Sequence, residues 1–156
     1  MATLEYFDNK MKTERVAMKV ALLGATGFVG SALLKEALDR GHVVTAIVRH
    51  PEKLEKREDL TAKAGDVYDT ASLATLIRGN EAIISAFNPG WKNPNLYDDQ
   101  VRGTASIIAA IKKTGIKRVL WVGGAGGFGR KDEPLRNPRS AVVQAERGSL
   151  CVFRVP

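Results

Sequence analysis

Three glycines, Gly24, Gly27 and Gly30, follow a short apolar run over residues 20–23 at intervals of three residues. A helical pattern begins directly after them, and this order of strand, tight glycine turn and helix start is the one that a dinucleotide site requires. Gly24 allows a sharp turn, Gly27 lets the backbone approach a pyrophosphate, and Gly30 allows the helix to pack closely on the sheet. The unpaired N–H groups and the positive dipole end of the helix would then face the phosphates. The alternative is a glycine-rich turn with a packing role only.

Arg49 stands at the end of the second predicted strand, with Lys53 close behind it. A site that prefers NAD carries an acidic residue about 20 residues after the glycines, where it accepts hydrogen bonds from the ribose 2′-hydroxyl. An arginine at this place can pair with a 2′-phosphate and stack on adenine. The sequence therefore predicts a preference for NADP(H), with NAD(H) as the alternative cofactor and a solvated surface arginine as the alternative role.

Other strand ends carry small or acidic residues that suit the same ligand. Asp66 lies in Gly65-Asp66-Val67 after the third predicted strand, where it could accept from an adenine amino group or simply form a turn or helix cap. Residues 85–90 end the fourth strand, and residues 123–127 follow the fifth. Small residues there would let a ribose and a nicotinamide lie against the backbone, although both segments could also be plain loops.

The elements that must position these residues alternate between strand and helix. The pattern predicts strands over 20–23, 43–48, 61–67, 82–87 and 119–122, and helices over 28–40, 71–77 and 101–114. This alternation predicts an α/β fold, a Rossmann-type doubly wound parallel sheet in three α/β/α layers. Beyond Gly129 the pattern weakens, and only a short helix over 141–147 and a strand over 150–155 are predicted.

Length and composition limit the class of protein. The chain has 156 residues, which suits one NAD(P)-binding domain over residues 18–156 preceded by a disordered extension over 1–17. No apolar run reaches the ~20 residues of a membrane span, and the first 17 residues lack the apolar core of a signal peptide. Cys151 is the single cysteine, so no disulfide within the chain is expected and the cytoplasm is the predicted compartment.

The net charge of +7 comes from 24 basic and 17 acidic residues. A basic protein invites a nucleic-acid interpretation, but these residues form no single tract and accompany no RNA-binding or zinc-finger motif. We therefore expect an anionic small molecule as the ligand, with neither nucleic acid nor membrane as a partner. No group of residues has the spacing of a metal site.

The chain resembles the atypical short-chain dehydrogenase/reductases of the NmrA-like type, including bacterial NADH-flavin reductase-like proteins and biliverdin reductase B-like proteins. The resemblance covers about residues 18–127. The segments that carry it are 19–30, 48–54, 64–67, 82–90 and 119–126. Together with the motifs, it implies cofactor contacts at Gly24, Thr26, Gly27, Phe28, Val29, Gly30, Arg49, Asp66, Val67, Ala86, Phe87, Asn88 and Gly123.

The chain departs from classical short-chain dehydrogenase/reductases in one catalytic feature. Classical members transfer a proton to a carbonyl with a Ser and a Tyr-x-x-x-Lys pair, and here only Tyr6 and Lys10 have that spacing, upstream of the first strand. Flavin reductase-like members lack the pair as well. The resemblance then implies hydride transfer from NADPH directly to a flavin- or quinone-like acceptor, with no catalytic residue assigned. A non-catalytic NADP(H)-sensing regulator and a sugar-nucleotide epimerase- or dehydratase-like relative are the alternatives. We expect a monomer or homodimer, with a fold that is C-terminally short compared with members of the resembled group.

Overall fold

A computed structural model describes residues 16–123 and the backbone of residues 151–154. The strands are β1 (Lys19–Leu23), β2 (Val43–Val48), β3 (Leu60–Ala64), β4 (Ala82–Ser85), β5 (Arg118–Trp121) and β6 (Cys151–Arg154). The helices are α1 (Phe28–Asp39), α2 (Thr70–Ile77) and α3 (Leu96–Thr114), with a short 3₁₀ turn at Pro51–Lys53. The strands form one sheet in the order β3-β2-β1-β4-β5-β6. The first five run parallel, and β1 lies at the centre with β2 on one side and β4 on the other.

The strand β1 is buried on both faces, which explains its unbroken apolar sequence. Leu22 packs in one cluster with residues of α1, including Leu34 and Leu38. Leu23 packs in the opposite cluster with residues of α2 and α3, including Ile107. The predicted three-layer α/β/α architecture is therefore confirmed.

Two elements differ from their predicted bounds by three residues or more. Helix α3 begins at Leu96 rather than residue 101, and its first turn carries Asp98 and Asp99, whose negative charge suits a helix N-terminus. Strand β3 ends at Ala64, three residues before the predicted end. The remaining strands and helices of residues 16–123 lie within two residues of their predicted bounds.

The five strands β1 to β5 form the predicted parallel sheet, and β6 adds one antiparallel strand at its edge. β6 pairs antiparallel with β5, and Val119 lies opposite Phe153 in the register. Apolar patterning indicates that a segment is a strand, but it carries no information on strand direction. The predicted helix over 141–147 and all of the predicted extension except residues 16 and 17 lie outside the described residues.

Two buried serines differ in how their hydroxyls are satisfied. Ser85, at the end of β4, is completely buried, and its hydroxyl has no hydrogen-bond partner among the residues that the structure describes. Ser106 in α3 is also buried, but its hydroxyl lies 2.8 Å from Oγ1 of Thr70. A buried polar group without a partner lowers stability, whereas a paired one does not.

Ser85→Ala is therefore expected to raise the free energy of unfolding by about 1 kcal/mol, because it removes an unsatisfied hydroxyl. Ser106→Ala is the matched control and is expected to lower it by about 1 kcal/mol, because it removes a paired hydroxyl. Urea unfolding followed by circular dichroism measures both. A comparable loss of stability in the two variants would show that the Ser85 hydroxyl is satisfied in solution.

Candidate functional site: the carboxyl edge of the sheet

The turn between β1 and α1 is closed by glycine-specific geometry. Gly24 has a φ of 79°, and its carbonyl accepts a 3.1 Å hydrogen bond from the N–H of Gly27. A Cβ on Gly24 would lie 2.7 Å from the carbonyl oxygen of Ala86, which follows β4. The turn therefore lies against the end of β4. Position 24 requires glycine because its φ is positive and because a Cβ would be too close to Ala86.

The N-terminus of α1 offers unoccupied donors at this turn. Gly27 is the N-cap residue, no side chain caps the helix, and no acidic residue lies in the first turn. The first N–H groups of a helix have no intrahelical acceptor, so here they are available to an anion. Thr26, Gly27, Phe28 and Val29 are all exposed, which leaves this end of the helix accessible.

Gly27 and Gly30 have different surroundings. A Cβ on Gly27 would meet only the carbonyl oxygen of Gly24, at 3.4 Å, so the space above the turn is open. A Cβ on Gly30 would overlap that same carbonyl oxygen. Gly30 therefore allows the first turn of α1 to pack on the glycine turn itself, rather than on the sheet as its spacing predicts.

The glycine turn lies where the strand order of the sheet reverses. The chain leaves β1 through α1 toward β2, while β4 lies on the other side of β1. The N–H of Ala86 donates a 3.0 Å hydrogen bond to the carbonyl of Leu23, so the ends of β1 and β4 remain in contact beyond the strands. In open α/β sheets, ligands bind at the carboxyl edge at such a switch point.

Arg49 is exposed directly after β2, as predicted. Within residues 16–123, no carboxylate forms an ion pair with it. Arg57, further along the same β2–β3 connection, differs because its Nε and Nη2 each donate a 2.8 Å hydrogen bond to Asp59. The Arg57 guanidinium holds the pKa of Asp59 below its ordinary value, and the Asp59 carboxylate raises the pKa of Arg57. Of these two arginines, Arg49 is therefore the one available to an external anion.

The sequence left the role of Asp66 open between an adenine contact and a turn or helix cap. Oδ1 of Asp66 accepts a 3.0 Å hydrogen bond from the N–H of Tyr68, which makes Asp66 a turn residue. The helix cap belongs instead to Asp69, which accepts from the N–H of Ser72 at 3.1 Å. Asp66 remains exposed, so a ligand can still reach its carboxylate. The side chain of Val67 is partly buried and packs against the core on the α2 and α3 face.

The residues that follow β4 differ in their surroundings, because Phe87 packs against the core and Asn88 is exposed. The ring of Phe87 packs against the core, edge-on to Tyr68 at a centroid distance of 5.9 Å. Oδ1 of Asn88 accepts a 2.7 Å hydrogen bond from the N–H of Gly90 and closes a local turn. Gly123 is exposed after β5 and has nothing within 4 Å of its ideal Cβ position. The rest of the predicted segment, residues 124–127, lies outside the described residues.

The predicted site residues thus follow the carboxyl ends of five neighbouring strands, and direct contact is seen between the glycine turn and Ala86. Sequence reasoning missed Tyr68 and Gly103, which enclose the ring of Phe87. The signal for Gly103 was a glycine inside a strong helical pattern, which usually has a packing reason. In the part of the chain that the structure describes, no group of three His, Cys, Asp or Glu residues could hold a metal ion, and no helix could cross a membrane.

The fold and this edge together define a Rossmann-type dinucleotide-binding domain. A model of the NAD(P)H-binding family matches residues 24–147, and the chain belongs to that family. It is 38% identical over 111 residues to the uncharacterized protein YwnB of Bacillus subtilis, covering 71% of this chain and 49% of that protein. It is 30% identical over 130 residues to cinnamoyl-CoA reductase 2 of Medicago truncatula, covering 77% of this chain and 39% of that protein.

Among solved structures, a protein of Bacteroides thetaiotaomicron described as a candidate epimerase matches with a TM-score of 0.67 and 43% identity. The match covers 81% of this chain and 57% of that one. The chain thus spans about half the length, or less, of the curated relatives named above. Of these three proteins, the Medicago truncatula protein is named as a reductase and the Bacteroides thetaiotaomicron protein as a candidate epimerase.

Proposed function

We propose that the protein is an NADP(H)-binding oxidoreductase that passes hydride to a flavin- or quinone-like acceptor. The observation that carries the proposal is the open, uncapped N-terminus of α1 behind Gly27 at the switch point of the sheet. A pyrophosphate fits this place, because the turn has no Cβ, no competing carboxylate in the first helical turn and accessible N–H donors.

Each part of the cofactor has a matching group on the chain. The N–H groups of the first turn of α1 would bind the pyrophosphate, and Arg49 would bind the 2′-phosphate, which favours NADP(H). Asp66 would accept from the adenine amino group, and the residues after β4 and β5 would lie along the ribose and nicotinamide. The bound nicotinamide would supply hydride chemistry, and the chain would contribute position and orientation.

The acceptor is proposed from the resemblance to flavin reductase-like proteins. Residues 24–156 contain no Tyr-x-x-x-Lys pair that would protonate a carbonyl, and those proteins lack the pair as well. Isoalloxazine and quinone rings accept hydride directly, and their proton can come from solvent. This property, together with the motifs of residues 18–127, supports a place in the NmrA-like and flavin reductase-like branch.

The test is a pair of measurements on the full chain. Fluorescence titration with NADPH and NADH is expected to show tighter binding of NADPH. NADPH oxidation is then followed with FMN, riboflavin and a quinone, and turnover above the rate without protein is expected with one of them. Tight binding of NADPH without NADPH oxidation by any of the acceptors would overturn the proposed reductase activity. It would favour a non-catalytic NADP(H)-sensing regulator.

An epimerase-like activity is the second candidate, favoured by the 43% identity to the Bacteroides thetaiotaomicron protein. An epimerase oxidises and re-reduces its substrate on a retained cofactor, so it would consume no NADPH. Incubation with nucleotide sugars, followed by chromatography of the products, distinguishes the two. An epimerised sugar without net NADPH oxidation would support this candidate over the reductase.

A further inference from the structure

The ring of Phe87 occupies a space that only a glycine in α3 leaves free. A Cβ on Gly103 would lie 2.5 Å from Cζ of Phe87 and would overlap Cε1 as well. Gly103 is buried in the interior of the 19-residue helix, where glycine is about 1 kcal/mol less favourable than alanine. The contact with Phe87 therefore explains a residue that helix propensity disfavours.

The same ring contacts the loop that carries Asp66. Tyr68 lies edge-on to Phe87, with an angle of 88° between the rings. The backbone N–H of Tyr68 bonds to the carboxylate of Asp66, and its ring lies 4.4 Å from the guanidinium carbon of Arg102 in α3. Phe87 is thus packed between α3 and the turn that orients Asp66.

The backbone of Phe87 contacts the glycine turn on the other side. The carbonyl carbon of Ala86 and the amide nitrogen of Phe87 lie 3.0 and 3.4 Å from the position of a Cβ on Gly24. A backbone shift that accompanies displacement of the ring would move this peptide relative to the glycine turn. Three of the segments that would contact the cofactor, the glycine turn, the Asp66 loop and the end of β4, therefore meet at Phe87.

We propose that Phe87 is a positioning residue: its ring, seated on Gly103, aligns the glycine turn with the Asp66 loop for cofactor binding. The inference rests on the proposed binding of NADP(H), and it assigns Phe87 an indirect role through its backbone instead of a ring contact with the cofactor. Leucine at position 87 would retain a Cδ but lack the Cε1 and Cζ atoms that approach Gly103. The contact between Phe87 and Gly103 can therefore be tested by a smaller side chain at position 87 combined with a larger one at position 103.

The experiment measures the NADPH dissociation constant of folded protein for Gly103→Ala, Phe87→Leu and the double variant. Gly103→Ala is expected to raise the constant about tenfold, because the new Cβ displaces the ring. Phe87→Leu is expected to raise it about threefold, and the double variant is expected to return to within about twofold of wild type. The new alanine methyl occupies the space that the shorter side chain leaves.

Gly115→Ala is the control for a loss of stability alone. Gly115 ends α3 with a φ of 73° and has nothing within 4 Å of its ideal Cβ, so alanine there strains the backbone without meeting a neighbour. Its thermal midpoint is expected to fall while the NADPH constant stays at the wild-type value. A purely structural role of Phe87 would give the same result for Gly103→Ala.

The outcomes separate this inference from the proposed function. A folded Gly103→Ala variant with the wild-type constant, or a double variant no better than Gly103→Ala, would overturn the positioning role alone. Wild-type protein that binds neither NADPH nor NADH would overturn the proposed function and, with it, this inference. If Gly103→Ala does not fold, the folded Phe87→Leu variant decides: a raised NADPH constant supports the role, and a wild-type constant overturns it.

Discussion

Gly27→Ala is expected to abolish dinucleotide binding while the protein remains folded. Gly27 has a φ of −77° and a ψ of 169°, a conformation that alanine adopts without strain. The added methyl would project into the open space above the turn, where the pyrophosphate must approach the N–H donors of α1. We expect the NADPH and NADH dissociation constants to rise about 100-fold or more, equivalent to about 3 kcal/mol. Fluorescence titration measures the constants, and circular dichroism checks the fold.

Gly30→Ala is the matched comparison, three residues further along the chain. Its methyl would overlap the carbonyl oxygen of Gly24, so the first turn of α1 would have to move. We expect a loss of about 3 kcal/mol in the free energy of unfolding, at the upper end of overpacking effects. The two variants thus separate a glycine needed for ligand access from one needed for packing. Unchanged binding by Gly27→Ala would exclude the turn as the pyrophosphate site.

Arg49→Ala is expected to weaken NADPH binding about 10- to 100-fold and to leave NADH binding within about twofold of wild type. The expected size is that of one hydrogen-bonded charge pair with the 2′-phosphate, about 1.5–3 kcal/mol. NADH lacks this phosphate, so its dissociation constant depends only on the rest of the binding site. Titrations with both cofactors at the same ionic strength give the ratio directly.

Arg57→Ala controls for the loss of one positive charge in the same connection. Arg57 forms a two-point pair with Asp59, so its charge is compensated within the protein. We expect its NADPH constant to stay within about twofold of wild type at physiological ionic strength, where exposed charges are screened. An equal loss of NADPH affinity in the two arginine variants would mean that NADPH binding depends only on the net charge of the protein. Equal loss of NADPH and NADH in Arg49→Ala would contradict a role at the 2′-phosphate.

Much of the fold follows from short stretches of sequence. A short apolar run is typical of a parallel strand buried on both faces, and residues 20–23 of β1 have that pattern. The glycines at 24 and 27 predict a tight turn followed by a helix. These inferences succeed because turn conformation and strand burial depend on residues only a few positions apart.

Other features depend on residues that are distant in the sequence. Helix α3 begins earlier than its apolar pattern predicts, because polar residues at a helix start satisfy the dipole and need no apolar partner. Strand β6 pairs antiparallel with β5, a direction that no local pattern carries. The ring of Phe87 turns toward Gly103, 16 positions away, although its place at a strand end predicts a contact with the ligand.

The sequence by itself determined the order of the elements, the three-layer fold and the strand end at which a dinucleotide would bind. The tertiary structure decided which residues around that end can face a ligand. Asp66 and Arg49 are exposed at this edge, whereas Val67 and the ring of Phe87 pack against the core. Gly30 lies so close to the carbonyl of Gly24 that no Cβ fits between them. The physical reason is that periodicity and turn chemistry act locally, whereas the direction of a side chain at a strand end depends on which distant helix leaves room for it.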